Sequence, residues 1–338
     1  MPASVEDIRN LQFLDLSRSM MIRAIPESFG NLTLLQYFDR SGDLSQNAIS
    51  GKLPESIGNL SQLQQLKMES NGITSGLPKS AGKLSSLREN KDGSAAEIRE
   101  GLTALRLGKN MLNGTVPVNI GQLSKLGQLH LPLNSLMGVL TPSPVANLVN
   151  LAYLDLSYNS LQLNNMFLQS NLPHFPTWVK TQTKFGDLRL SDAGISCNIP
   201  ACFPLFFCNL TTIELLDVSN NDMSGRPPSC WNSTSALGII DLSDNNFIEQ
   251  LSKLSSLQIL DLAHNNLSGC IPHSFGDFKA MLSALGISLD KYKGPPDVIL
   301  QGILRQLVTV RGANVEFQAN IPKKLLNSFK VLSSDPIG

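Results

Sequence analysis

Long hydrophobic runs are missing from this sequence. No segment reaches the roughly 18 consecutive apolar residues that a membrane helix needs. Residues 1–10, MPASVEDIRN, have no basic start followed by an apolar stretch, so they do not predict a secretory signal. The sequence therefore predicts no membrane span in this chain. Its first residues read instead as the end of a repeat, with Pro2 at a repeat position, which leads us to expect a truncated or shortened chain.

An excess of charge of either sign is also absent, and aromatic residues and cysteines are few. The 27 basic and 27 acidic residues cancel, so nothing predicts a nucleic-acid partner. The cysteines are odd in number, so at least one is unpaired, and their spacing does not match a zinc site. We expect buried or loop thiols with at most one local disulfide. The cysteines are Cys197, Cys202, Cys208, Cys230 and Cys270.

No catalytic motif is present. The patterns HExxH, GxSxG, GxxxxGK[ST] and GxGxxG do not occur, and the four histidines are scattered along the chain. The sequence thus predicts no catalytic residue, no metal ligand set and no cofactor, and an enzyme is the weakest of the possible functions.

A repeat is what the sequence has in abundance. Residues 257–272, LQILDLAHNNLSGCIP, show its pattern, LxxLxLxxNxLxGxIP. The asparagine of the pattern recurs every 24 residues in adjacent copies, as at Asn47 and Asn71 and again at Asn110 and Asn134. Ser19 replaces this asparagine in the first unit, and Ala193 replaces it in the seventh. The other asparagines of the pattern are Asn159, Asn221, Asn245 and Asn265.

The repeat pattern predicts a solenoid. Central leucines two residues apart have the periodicity of a strand, and the asparagine lies where the chain turns away and can pair with backbone groups there. One unit cannot bury its own leucines, whereas stacked units can. We therefore predict an α/β solenoid, a curved array of about ten 24-residue units with a parallel concave sheet, an irregular or 3-10 convex side and an internal ladder of asparagines.

Several segments interrupt the array, which we assign to residues 1–282. Residues 40–43 fall inside an expected strand and predict a bulge or excursion. The charged insertion at 88–101 is expected to be a solvated excursion with a short helix near Glu97, and residues 162–184 are irregular. Residues 283–338 lack the repeat and are expected to form a partly disordered C-terminal segment.

The full motif resembles the plant extracellular type of leucine-rich repeat. Residues 174–195, HFPTWVKTQTKFGDLRLSDAGI, are similar to plant receptor-like proteins of the fungal-xylanase receptor and disease-resistance group. The resemblance implies a plasma-membrane or extracellular protein that binds a peptide or protein ligand in defence or developmental signalling, without a kinase of its own, through a receptor kinase co-receptor. The alternatives are a secreted protein like the polygalacturonase inhibitors, whose paired-cysteine caps are absent, and a truncated, nonfunctional or decoy product.

Residues that flank the strand leucines should point outward on the concave face and carry binding. Tyrosine and arginine are common at interaction hot spots, so Tyr153 and Tyr158 beside Arg189 form the strongest candidate patch, although ordinary solvated surface remains the plainer interpretation. The ligand-binding candidates are Lys67, Arg106, Lys109, His130, Tyr153, Tyr158, Asp187 and Arg189.

Two further sets of residues recur with the repeat. Four aspartates follow the central strand leucine and should form an outward column in which stacked neighbours can hydrogen-bond; they are Asp155, Asp217, Asp241 and Asp261. Six Asn-x-Ser/Thr sequons are candidate glycosylation sites, although this pattern also arises from the repeat consensus. They are Asn31, Asn59, Asn113, Asn209, Asn232 and Asn266.

Overall fold

The computed structural model describes two compact units, residues 1–195 (unit 1) and 196–338 (unit 2). The described residues are 8–17, 24–40, 49–85, 87–88, 97–98, 101–140, 145–162, 178–179, 182–197, 211–225, 236–248 and 259–265. The boundary at 282/283 and the C-terminal segment lie outside them.

The strands of the described residues are short and recur once or twice in each repeat. In chain order they are β1 (Phe13–Asp15), β2 (Tyr37–Asp39), β3 (Ser50–Gly51), β4 (Gln65–Lys67), β5 (Gly72–Ser75), β6 (Leu87–Arg88), β7 (Glu97–Ile98), β8 (Ala104–Arg106), β9 (Met111–Gly114), β10 (Gln128–His130), β11 (Ser135–Val139), β12 (Tyr153–Asp155), β13 (Ser160–Gln162), β14 (Asp187–Arg189), β15 (Ser196–Cys197), β16 (Leu215–Asp217), β17 (Asp222–Gly225), β18 (Ile239–Asp241), β19 (Asn246–Phe247) and β20 (Ile259–Asp261).

Unit 1 is built on a parallel sheet in which the strands follow the order β1-β2-β4-β8-β10-β12-β14. The register keeps equivalent repeat positions side by side, so that Leu105 is paired with Leu66 on one side and with Leu129 on the other. A second parallel sheet, of order β13-β11-β9-β5-β3, follows the turn in each coil. In unit 2 the strands pair in the same way, in the orders β16-β18-β20 and β15-β17-β19. The predicted solenoid with a parallel sheet is confirmed.

In the described residues of unit 1, four 3-10 helices pack on one another in turn, at Glu27–Asn31, Glu55–Asn59, Lys79–Leu84 and Val118–Gln122. Each follows the proline of the repeat, whose ring fixes φ in the range that a helix start requires. The glycines of the first three helices let the next coil come close. A Cβ on Gly58 would lie 2.5 Å from the backbone oxygen of Ser80.

The core of unit 1 consists of the inward leucines of the repeat and of a buried asparagine ladder. Asn110 donates from Nδ2 to the carbonyl oxygens of Leu107 and Gly108 in its own turn, at 3.0 and 3.2 Å, and to that of Met68 in the preceding coil, at 2.9 Å. Its Oδ1 accepts from the backbone N–H of Ile73. Asn71, Asn134 and Asn159 bond in the same way, and Asn245 repeats the pattern in unit 2.

One expectation about the insertions is wrong, and the excursion expected at 40–43 is tested only at its first residue. The strand at β2 is not interrupted at Arg40, because the Arg40 N–H donates to the Lys67 carbonyl as the N–H of Met68 does to Arg106 in the next coil. Arg40 instead occupies a buried, inward leucine position, and residues 41–43 lie outside the described residues. The short helix expected near Glu97 is a strand, since β7 pairs antiparallel with β6.

Candidate functional site

The outward face of the first sheet in unit 1, which we call the sheet face, carries the first and third residues of each strand. The central residue of each strand points into the core, so that Leu66 and Leu129 are buried while their neighbours on the strand remain partly exposed. Period-two alternation produces this division. The strands thereby hold two rows of side chains at fixed spacing on a hydrogen-bonded sheet.

The centre of the sheet face is a polar cluster around His130. The ring nitrogen Nε2 lies 3.1 Å from Oε1 of Glu69, and Nδ1 lies 3.4 Å from Oδ2 of Asp155. The hydroxyl of Tyr153 is 3.1 Å from the same Nδ1. The imidazole thus connects residues of three coils, and none of its three partners is adjacent to it in sequence.

Gly108 makes the contact between His130 and Glu69 possible. Glu69 and His130 belong to coils separated by the coil that contains β8 and Gly108. A Cβ at Gly108 would meet Nε2 of His130 at 2.9 Å and Cδ2 at 3.0 Å. The ring therefore reaches Glu69 over a position that has no side chain.

Arginines approach the Tyr153 ring from strands on both sides of β12. The guanidinium carbons of Arg106, on β8, and Arg189, on β14, each lie 5.8 Å from the ring centroid. Arg106 also donates from Nε to Oε1 of Gln128 and lies 3.9 Å from Glu69. Arg189 is paired with Asp187 at 3.5 Å. Cations at this distance over an aromatic ring are attracted by its electron-rich face.

The electrostatics of the cluster favour charge on all three ionisable partners. Burial opposes the charge of His130, but hydrogen bonds to Asp155 and Glu69 outweigh it and raise the pKa of His130. The hydrogen bond from His130 lowers the pKa of Glu69 against the effect of burial. Burial favours protonation of Asp155, but His130 and the Ser157 N–H keep its pKa lowered.

Five of the eight candidate residues, Arg106, His130, Tyr153, Asp187 and Arg189, lie on neighbouring strands and are brought together. Lys67, on β4, is the register partner of Arg106, but its Nζ lies 5.0 Å from the centroid of the Tyr37 ring on β2.

Lys109 and Tyr158 lie in the turns after β8 and β12 rather than on the strands. Both occupy the left-handed position before the ladder asparagine, with φ of 56° and 54°. Of the predicted patch of Tyr153, Tyr158 and Arg189, the structure brings the Tyr153 ring and the Arg189 guanidinium into contact, and the role of the patch in binding stays a prediction.

Sequence reasoning missed Tyr37 and Gly108. Tyr37 has the same strand position as Tyr153, stacks on Phe13 with ring centroids 4.3 Å apart, and donates to Asp39. The strand position alone could have indicated it. Gly108 occupies the repeat position that holds Glu69 and Pro132 in the neighbouring coils. The sequence pattern does not indicate that the His130 ring lies where a side chain at Gly108 would be.

The aspartate column has a different role from the expected one. Asp217 and Asp241 each accept, at Oδ1, the backbone N–H and the hydroxyl of the serine two residues later. Asp155 and Asp261 cap the following turn through the backbone N–H. Each carboxylate therefore accepts a bond at Oδ1 within its own coil, and Asp155 also contacts His130 of the adjacent coil through Oδ2. The pKa of Asp241 is raised, mainly because the carboxyl group is buried and also because the carboxylates of Asp217 and Asp261 lie nearby.

Three of the six sequon asparagines fall within the described residues. Asn31, Asn59 and Asn113 are exposed, the first two at the ends of 3-10 helices and the third on β9. Asn209, Asn232 and Asn266 lie outside the described residues. Of the cysteines, Cys197 lies on β15, and the other four are likewise outside them.

Neither metal clusters nor membrane helices occur in the described part of the chain. No group of three or more His, Cys, Asp or Glu side chains there is placed to hold a metal ion. Within the same residues no helix has the length and apolar character that crossing a membrane demands.

Comparison with known proteins agrees with this architecture. The Leucine Rich Repeat family model matches residues 10–32 and 256–278. The receptor-like proteins EIX1 and EIX2 of Solanum lycopersicum are each 39% identical, over 126 and 125 residues, which make up 33% and 32% of this chain. The match spans only 12% of the length of each relative.

Among solved structures, the plant peptide hormone receptor RGFR1 in complex with RGF2 is similar, with a TM-score of 0.67 and 25% identity over 83% of this chain and 40% of that one. The repeat, the asparagine ladder and the matched structure show the leucine-rich-repeat fold, and part of the sequence is similar to plant receptor-like proteins.

Proposed function

We propose that this chain forms part of the ligand-binding ectodomain of a receptor-like protein, and that the sheet face of unit 1 binds a peptide or a peptide segment of a protein. The role is recognition, without catalysis. The proposal takes its general form from the relatives and its location from the cluster of Arg106, His130, Tyr153 and Arg189.

The observation that carries the proposal is the composition and rigidity of this cluster. Tyrosine and arginine contribute disproportionately to binding energy at protein interfaces. Here they project from consecutive hydrogen-bonded strands, and their side chains already contact one another. A surface that is ordered before binding loses less conformational entropy when the ligand arrives.

The spacing of the cluster suits a short extended peptide. From β4 to β14 the sheet advances by four strands, which is about 19 Å at roughly 4.8 Å for each strand. An extended chain covers that distance with about six residues at roughly 3.3 Å each. A peptide laid across the strands would pass over the side chains of Lys67, Arg106, His130, Tyr153 and Arg189 in turn.

Signalling in this proposal depends on a second protein. The resemblance to receptor-like proteins implies a receptor kinase co-receptor at the plasma membrane, with this part of the chain outside the cell, in defence or development. The exposed sequons at Asn31, Asn59 and Asn113 are consistent with N-glycosylation on the secretory route.

A displayed library of random decapeptides tests the proposal. Selected peptides should bind the wild-type chain, and the double variant Arg106→Ala/Arg189→Ala should lose at least about tenfold in affinity, since each arginine at a hot spot typically contributes more than 1 kcal/mol. Lys125→Ala, at an exposed turn position away from the strands, is the matched control and should bind as the wild type does. Selected peptides that bind both variants equally would show that the sheet face is not the site.

A further inference from the structure

The imidazole of His130 lies between two carboxylates that come from different coils. Its side chain is 19% exposed, and those of Glu69 and Asp155 are 23% and 7% exposed. Both carboxylates accept hydrogen bonds when ionised and donate none. To donate to both, the ring needs a hydrogen on each nitrogen, which only the imidazolium has.

Loss of the proton would break one of the two contacts. The Nε2 contact with Glu69 is the shorter, at 3.1 Å against 3.4 Å for the Nδ1 contact with Asp155. If the remaining hydrogen stays on Nε2, the lone pair of Nδ1 faces Asp155. The Tyr153 hydroxyl, 3.1 Å away, can then donate to Nδ1, but it cannot satisfy the buried carboxylate. Asp155 would be left nearly buried beside a ring lone pair, which is unfavourable for a charged group.

The surrounding charges take part in the same rearrangement. Glu69 faces the ring from the turn after β4, Tyr153 and Asp155 face it from β12, and Arg106 on β8 lies 3.9 Å from Glu69. The adjoining positions on its own side are Gly108 and Pro132, which do not titrate. A Glu69 that loses the imidazolium would attract Arg106 more strongly and draw it from the Tyr153 ring.

We propose that His130 is the positioning residue of the sheet face: the face binds peptide tightly while the imidazole bridges Glu69 and Asp155, and binding weakens as rising pH removes that bridge. The inference rests on the proposed function, because it concerns the regulation of the same surface. Its physical basis is the placement of one ring between two acceptors, over a glycine, and beside the Tyr153 and Arg106 pair that the ligand would contact.

Titration of the ring tests the bridge without any ligand. The chain has four histidines, and ¹³C-labelled histidine rings can be followed by NMR, with the signal of His130 identified by its loss in His130→Gln. We expect a midpoint above 6.5, the ordinary value, and a fall in that midpoint in Glu69→Gln. Gly108→Ala should also lower it, because the added methyl would displace the ring from Glu69. A midpoint at or below the ordinary value in the wild type would overturn the proposal.

Binding is measured with a decapeptide selected from the random library at about pH 5.5, on the acidic side of the histidine range, and assayed again at about pH 8. Wild-type affinity should fall at least about tenfold, which corresponds to a coupling of one pKa unit. His130→Gln should bind with little pH dependence. The control His264→Gln removes an exposed ring that pairs with Asp244 in unit 2 and should keep the wild-type profile.

The outcomes separate this proposal from the proposed function. A peptide that depends on Arg106 and Arg189 but binds equally at both pH values would overturn the role of His130 and leave the function intact. A pH dependence that persists in His130→Gln would do the same. Failure to select any sheet-face peptide at either pH would overturn both.

Discussion

Nε2 of His130 lies 3.1 Å from Oε1 of Glu69, across a coil that contributes only the hydrogen of Gly108 at that point. The two residues are 61 positions apart in sequence, 130 minus 69, and meet because the repeat places their strands two apart in the sheet. This contact determines how the stability of unit 1 should depend on pH.

The first prediction concerns that dependence. A raised pKa of His130 means that its contribution to folding is fully present below 6.5 and is lost as the pH rises through the raised value. The lowered pKa values of Glu69 and Asp155 mean that their contributions are present above 4.5 and 3.8 and are lost as the pH falls through the lowered values. The bridge should therefore stabilise unit 1 most between pH 4.5 and 6.5.

Urea denaturation at a series of pH values measures this contribution. The difference in unfolding free energy between the wild type and His130→Gln should be largest in that mildly acidic window and should shrink towards alkaline pH. His264→Gln is the control, and it should differ little from the wild type because exposed ion pairs contribute little. A His130→Gln difference that grows with rising pH would contradict the assignment.

The second prediction concerns the asparagine ladder. Asn110→Ala removes one of two donors from each of three backbone carbonyls and leaves the Ile73 N–H without its acceptor, all in the buried interior. Since each lost bond contributes about 1 kcal/mol and an unsatisfied buried N–H costs about 1–3 kcal/mol, we expect a loss of unfolding free energy of at least about 3 kcal/mol. Asn150→Ala, which loses one part-buried bond to Ser124 and one exposed bond to Lys184, should cost about 1 kcal/mol. Equal losses would show that the ladder adds nothing beyond ordinary surface bonds.

The sequence predicted those parts of the fold whose interactions repeat within one period. The ladder and the strand alternation repeat within one period, so local pattern was sufficient to predict them, and the structure confirms both. Arg40 was assigned wrongly to the insertion because a charged residue in an inward position was taken as an interruption of the strand. The fold instead retains the strand and buries Arg40, whose Nη1 donates to the carbonyl oxygen of Leu16.

The site was harder to predict because its contacts cross coils. The period indicated which residues point outward, including Arg106, His130 and Tyr153. It could not indicate that the His130 ring would lean over a neighbouring coil, since that depends on the absence of a side chain at Gly108. The aspartate column was misjudged for a related reason, because for Asp217 and Asp241 the serine two residues later supplies a partner within the same coil.

The third prediction tests the close stacking of the 3-10 helices. A Cβ at Gly58 would meet the backbone oxygen of Ser80 at 2.5 Å, so Gly58→Ala must push two coils apart. We expect a loss of about 1–3 kcal/mol, the usual cost of overpacking. At Gly127 a Cβ would meet its nearest atoms at 3.6 and 3.7 Å, which is ordinary contact, so Gly127→Ala should change the unfolding free energy by less than about 0.5 kcal/mol. A Gly58→Ala variant as stable as the control would remove the steric argument.

The fourth prediction is a stabilising substitution at Leu133. This leucine is 46% exposed and has a φ of 54°, a left-handed conformation that leucine adopts at a cost and asparagine tolerates. The equivalent positions include Ser70 and Asp192, which suit such a turn. Leu133→Asn should therefore raise the unfolding free energy by about 0.5–1 kcal/mol, since it relieves backbone strain and loses little buried area.

The control is Met111→Asn, at another exposed apolar residue, but one on a strand. It should give no gain, because asparagine is disfavoured in strands. Equal effects of the two substitutions in urea denaturation would attribute any change to surface polarity in general, whereas a gain confined to Leu133→Asn would locate the strain at the turn.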